Sequence, residues 1–326
     1  MWRKIGIAIV VVIGWGAIVA YIVYVSHLVR QHRLQQKVEK VEISLHAKGD
    51  RGQFATEEQI LRRIENLGIK TEGEFIDDIN IAGISKYLAD EGYIRYANSY
   101  VTYSGKLYID VEQHEPVLRL MCGGLNVYVT KEGDVFSPPR GSAYYAPVVT
   151  GKYVPIFIKG YEGNALDYFE ELIVAEEDTL LEISSEMSAL QAERKRCEKA
   201  EELAKLDTLE VKLKAREQAV AKSKKKLRKK SVDFVNLINF VSEVDNDPFW
   251  SAEIVQFVAD TTYMGEISLR MIPRSGNFEI EFGTLDKSSE KLAKLQKFYD
   301  KGLPHVGWER YKLVDVRYDR QIICKE

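Results

Sequence analysis

The sequence predicts an α+β protein. An N-terminal apolar helix comes first, then a small domain of order strand, helix, helix, strand, strand, then a mostly antiparallel β domain with a long charged helical arm inserted into it. Three observations predict this. Residues Ile5 to Val25 carry no charge. Apolar residues on either side of the middle recur with the periods of two and of three to four that mark strands and helices. Between them, about 172–230, there is no Gly and no Pro, and Ala, Glu, Lys and Leu dominate.

The charge-free run is long enough to cross a hydrocarbon core as a helix, which takes roughly 20 residues. Trp2 and Tyr24 stand near its two ends, where amphipathic rings favour the membrane interface. A cleaved signal peptide has a shorter apolar part, about 7–15 residues, and a small-x-small site after it. Here Tyr24-Val25-Ser26-His27 follows, so a retained anchor is the expectation. Arg3 and Lys4 precede the span, while Arg30, Arg33, Lys37 and Lys40 follow it. Flanking charge therefore leaves the orientation open; long following domains translocate largely regardless of it. The expected order is a tip at 1–4, the membrane helix at 5–25, a linker at 26–37, a first domain at 38–112 and a second at 113–326.

In the first domain, residues 38–46 alternate as a strand and Gly49-Asp50-Gly52 make a turn. Thr56 and Gln59 have capping-box spacing and open a helix with Ile60, Ile64 and Leu67 on one face, closed by Gly68. A second helix covers about Ile79 to Asp90, with Asp77-Asp78 at its start. Strands at Tyr93–Tyr103 and Lys106–Glu112 are joined through Ser104-Gly105.

In the second domain, strands are expected at Val117–Met121, Leu125–Thr130 and Val135-Phe136, and Pro147-Val148-Val149-Thr150-Gly151 leads to a helix beginning near Asn164. After the arm come a helix at Val232–Val244 (Val232, Val235, Ile238 and Val241 inward), strands at Glu253–Ala259, Gly265–Met271 and Phe278–Phe282, and a helix at Lys287–Leu303. The closing strand runs from Val314 to Ile323. Val314, Val316, Tyr318 and Ile322 point one way; Asp315, Arg317, Asp319 and Gln321 point the other. An open edge there carries unpaired N–H and C=O groups that a partner strand can bond.

Within the arm, Leu206, Leu213, Val220 and Leu227 recur every seventh residue, a partial coiled-coil seam. Acids crowd its start and Lys/Arg its end. One continuous helix with charge matched to its dipole and an antiparallel hairpin turning near Asp207-Thr208 both fit. The basic end is either a solvated face or a patch for anionic lipid.

The chain of 326 residues has 46 Lys+Arg against 49 Asp+Glu, a net charge of -3, which argues against a nucleic-acid binder. Its three cysteines, Cys122, Cys197 and Cys324, form no C-x-x-C pair. A single Cys122–Cys324 bridge in an oxidising compartment is the alternative to buried thiols. None of the five histidines sits at metal-ligand spacing, and there is no nucleophile elbow, P-loop or G-x-G-x-x-G. No enzyme activity, cofactor, metal or small-molecule substrate is expected.

Two segments carry a family resemblance. Val314-Asp315-Val316-Arg317-Tyr318, with Gly265–Leu269, Phe278–Gly283, Glu290-Lys291-Leu292 and Phe298 ahead of it, resembles the closing part of the FtsQ/DivIB bacterial cell-division proteins. Gly105–Val111 with Glu115-Pro116-Val117 and Arg119 resembles the family's passage from its POTRA domain into its β domain. Gly307–Tyr311 looks most like the Bacteroidota versions. The arm is longer than the family usually carries there. The resemblance implies a POTRA domain at 38–112 and a single-pass protein of the cytoplasmic (inner) membrane. Its N-terminus is cytoplasmic, its body periplasmic and its place the division septum. It implies a divisome scaffold that binds FtsB/FtsL-like proteins and other divisome membrane proteins. The closing strand would accept the FtsB-like strand and so link assembly to septal peptidoglycan synthesis. The residues implied for that contact are Val314, Val316, Tyr318, Arg320 and Ile322. The competing expectation is a POTRA-bearing assembly or secretion factor that acts through its arm.

Overall fold

The computed structural model describes residues 2–46 and 51–326, with side chains described from residue 13 except at 30–35 and 143. The chain forms two compact units, Met1–His114 and Glu115–Glu326.

Unit one opens with helix α1 (Trp2–Gln35). From Ile13 to Val29 its large apolar side chains are exposed, Trp15 and Tyr21 among them. Among the described residues no helix is long and apolar enough to cross a membrane. Part of the 5–25 span, with the Trp2 ring and the 1–4 tip, lies outside the described side chains. So does the Gly49-Asp50 part of the expected turn.

Strand β1 (Lys40–His46) and the short β2 (Gly52–Gln53) follow. Helix α2 (Glu57–Asn66) opens on the expected capping box: Thr56 Oγ1 accepts from Gln59 N, and Gln59 Oε1 accepts from Thr56 N. Ile60 and Ile64 are its buried residues, whereas Leu67, expected to share that face, is exposed. Asp77 and Asp78 do not cap the next helix. They sit in a separate 3-10 turn, Ile76–Asp78, and Asn80 caps α3 (Ile81–Ala89) by accepting from Gly83 N. Strands β3 (Ile94–Val101) and β4 (Lys106–Gln113) complete a sheet of order β1-β4-β3, with β1 parallel and β3 antiparallel to β4. Leu107, Ile109 and Val111 of β4 are fully buried. The buried Gln113 side chain bonds the backbone of Phe54 and Ala55, satisfying polar groups that would otherwise cost free energy.

Unit two begins with β5 (Pro116–Cys122), β6 (Val127–Thr130), β7 (Asp134–Phe136), β8 (Ala143–Tyr144), β9 (Val148–Gly151) and β10 (Gly163–Asn164). Asn164 caps α4 (Ala165–Arg194) and donates to Glu132 O and Asp134 Oδ1, tying the first turn of the arm to the β6–β7 turn. Helix α5 (Ala200–Asn246) leads to α6 (Pro248–Glu253), β11 (Ile254–Thr261), β12 (Ile267–Pro273), β13 (Glu279–Gly283), α7 (Ser288–Lys301), α8 (Leu303–Val306), β14 (Leu313–Asp315) and β15 (Ile323–Lys325). Ten strands make one sheet, β10-β7-β6-β5-β9-β11-β12-β13-β14-β15. Six of its nine pairings are antiparallel; β5–β9, β9–β11 and β13–β14 are parallel. Its inner face (Leu118, Leu120, Phe257, Leu269, Met271, Ile280, Phe282, Val314) packs in one core with α4, α5 and α7.

The arm is an antiparallel hairpin, not one helix. The turn lies at 195–199 rather than at Asp207-Thr208, which is inside α5. Ile183, Leu190 and Leu206 are buried in the hairpin, and Leu213, Val220 and Leu227 are half-buried. The acidic start meets the basic end: Glu177 pairs with Lys224 at 2.6 Å and Arg228 at 3.0 Å, and Arg194 pairs with Asp207 and Glu210 at 3.0 Å. Past the arm, the inward face of α5 is Phe234, Leu237, Ile238, Val241 and Val244, while Val232 is 57 % exposed. A strict three-residue count drifts off a 3.6-residue turn.

Candidate partner-docking edge

The last ten residues of the alternating pattern do not make one strand. β14 ends at Asp315, the chain turns, and β15 returns antiparallel to it: Leu313 lies opposite Lys325, Val314 opposite Cys324 and Asp315 opposite Ile323. On its other side β14 runs parallel to β13, and Val316 N continues that pairing by donating to Glu281 O. Arg320, in the turn, has φ 61°, the left-handed region that a non-glycine residue seldom occupies.

An ion-paired latch holds the turn. Arg317 donates from Nε to Asp315 Oδ1 at 2.9 Å and from Nη2 to Oδ2 at 2.6 Å, and its backbone N donates to Oδ1 as well. Asp315 is only 4 % exposed. Its burial alone would raise its carboxyl, but the Arg317 bonds outweigh that and hold it below the usual carboxylate range. Glu281, 3.9 Å from the same guanidinium, is pushed up by burial. From α7, Lys294 Nζ donates to the carbonyls of Val316 and Tyr318, and Lys291 Nζ donates to Thr284 O while lying over the Phe282 ring. Burial lowers both lysines. Between α7 and residues 317–320 is a cleft of about 460 Å³ whose lining includes Lys287, Lys291, Lys294 and Lys297.

The structure divides the residues expected to meet a partner. Val314 and Val316 are fully buried under α7 and the sheet. Tyr318 is 45 % exposed and Arg320 is exposed, both in the turn. Ile322 is half-buried against the core. Alternation therefore misplaces Asp315, which faces no solvent, because Arg317 covers it. The residues it misses are Ile323, Cys324 and Lys325, which form the outermost strand. Ile322-Ile323, two adjacent apolar residues, break the period of two and mark the place.

Cys122 and Cys324 are both free, as is Cys197. Their strands are six positions apart in the sheet. At about 4.8 Å per strand they lie roughly 29 Å apart, too far for a disulfide. Among the described residues no group of His, Cys, Asp and Glu is arranged to hold a metal ion.

Residues 36–112 match the POTRA-like domain, and residues 208–325 match the family model described as FtsQ/DivIB, C-terminal related. A POTRA-like domain followed by such a β domain suggests a division-associated scaffold. The two matches, in this order along the chain, support the FtsQ/DivIB family. No curated protein matches it.

Proposed function

We propose that this protein is a membrane-anchored divisome scaffold that captures an FtsB/FtsL-like partner by strand addition at β15 and so couples divisome assembly to septal peptidoglycan synthesis. The observation that carries the reading is the open outer edge of a ten-stranded sheet. An edge strand offers main-chain donors and acceptors to an incoming strand, and side chains beside it set which strand is accepted. Ile323, at the edge, and Tyr318, in the adjoining turn, are the exposed apolar groups there. Val314 and Val316 serve by holding the edge in place from the core, and Arg320 and Ile322 by shaping the turn.

The anchor is the 5–25 run, whose exposed apolar side chains from Ile13 onward suit lipid rather than water. The N-terminus is cytoplasmic and the body extracytoplasmic, at the septum. The scaffold works without chemistry of its own.

The test is capture of the FtsB-like partner by full-length protein, together with septal gathering of a fluorescent fusion. Ile323→Lys with Tyr318→Ala leaves the core residues in place and is expected to abolish capture. Capture at the parental level by this folded variant would end the strand-addition reading.

A further inference from the structure

The outer face of the three-stranded sheet in unit one carries a pattern that the scaffold reading does not use. Registers β1–β4 and β4–β3 set its side chains in rows. The first row is Glu42, Tyr108 and Tyr100. The second is Ser44, Asp110 and Asn98. The third is His46, Glu112 and Tyr96. These positions alternate with the buried Leu107, Ile109 and Val111, so they face away from the core.

The aromatic rows are exposed yet held. Tyr96 is 55 % and Tyr100 42 % exposed. The rings of Tyr100 and Tyr108 stack with centroids 5.4 Å apart and planes 14° apart. The Glu42 carboxyl, beside them, accepts from Lys106 and Lys40 and is held down to about 2 by Lys106, Tyr108 and Lys40. Between the aromatic rows, Ser44, Asp110 and Asn98 have no side-chain hydrogen bond or ion pair among the described residues.

We propose that this face is a carbohydrate-binding platform for a neutral glycan chain. A sugar ring has an apolar C–H face and a rim of hydroxyls. Tyrosine offers a rigid, flat, amphipathic surface at low entropic cost, which suits the first. The unpaired polar row between the rings suits the second, since each hydroxyl it meets gains a bond without breaking one within the protein. The rows contain no Leu, Ile, Val or Met, which sets the face apart from an apolar protein or membrane surface. Lys40 and Lys106 share the one carboxylate of Glu42, and Arg95 pairs with Glu112; with Asp110 these charges balance, so the face carries no net positive charge to recruit a polyanion. The platform is independent of the β15 edge, and variants of that edge leave it intact.

The probe is the tetramer of N-acetylglucosamine, titrated by saturation-transfer NMR against the full chain in a detergent without a sugar headgroup. The tetramer is expected to bind, and binding is expected to survive added salt. Tyr100→Ala and Asp110→Ala should each weaken it at least tenfold. Tyr263→Ala removes a fully exposed tyrosine of unit two and should change nothing. Unchanged circular dichroism shows that the variants stay folded. Absence of binding, equal binding by all variants, or binding that salt abolishes would each overturn the platform.

Discussion

Replacing Arg317 by Ala removes the cation of the latch and leaves its anions. Asp315 keeps only the backbone N–H of residue 317, and Glu281 stands beside it. Two charge-assisted hydrogen bonds, at 2.6 and 2.9 Å, disappear. Such bonds are worth about 1.5–3 kcal/mol each, and stranding a buried charge costs about 3–5 kcal/mol. The Arg317 side chain is 48 % exposed, so water replaces part of what is lost, and a net loss of about 2–3 kcal/mol follows. For a unit of this size that is roughly 4–12 °C in Tm. Asp315 sits below its unfolded value, so its stabilisation is present above about pH 4 and fades as pH falls through its folded value. The deficit of Arg317→Ala therefore shrinks on acidification. Glu281 acts in the opposite sense: its raised value costs stability while it is ionised, and that cost also disappears at low pH. Arg317→Lys restores the charge but not the two-pronged fork, so it falls between. Thermal unfolding followed by fluorescence of Trp250 and Trp308 at about pH 7.5 and about pH 2.5 reads the effect. A Tm within about 1 °C of the parent, or a deficit equal at both pH values, would refute the latch.

Three further outcomes are expected. Gly151→Ala places a Cβ 2.2 Å from Ala259 O at a φ of +112°, and should cost about 3 kcal/mol or more, read as a fallen Tm or insoluble protein. Replacing residues 178–225 with a short glycine-serine turn should leave unit two folded with nearly the parental Tm, because the buried residues of that stretch, such as Ile183, Leu190 and Leu206, pack within the arm; unfolding on deletion would contradict this. The Cys122 thiol, pushed up to about 12 by burial with Asp260 nearby, should resist alkylation at about pH 8 until the protein unfolds, while Cys197 labels readily; mass spectrometry of the labelled peptides decides.

Where the sequence was legible, local physics was strong. The Thr56/Gln59 box and the Asn164 helix start rest on side chains bonding their own neighbourhood, and both stand in the structure as expected. Alternation failed at the C-terminus because the turn there has no Gly, Pro or Asn, and Asp319 alone is a weak sign. Its left-handed position is filled by Arg320 instead of Gly or Asn, so the period of two reads straight through it. The arm's turn at 195–199 likewise lacks Gly and Pro. The site residues were half legible for the same reason. A strand pattern tells which side chains share a face, but not whether the strand continues, and the buried Asp315 depends on an arginine two positions along folding back over it.

Helix α5 has one property that neither the arm nor the core has alone. It is a single element from Ala200, beside the turn of the arm, to Phe234–Val244 beneath the sheet. At 1.5 Å per residue, about 50 Å of it precedes its first core contact. A load caught at the tip therefore meets no joint on its way inward. Tilting or twisting the tip would turn the same rod that packs Phe240 against Phe257 and Phe282, so the tip of the arm and the sheet that ends in β15 share one continuous element.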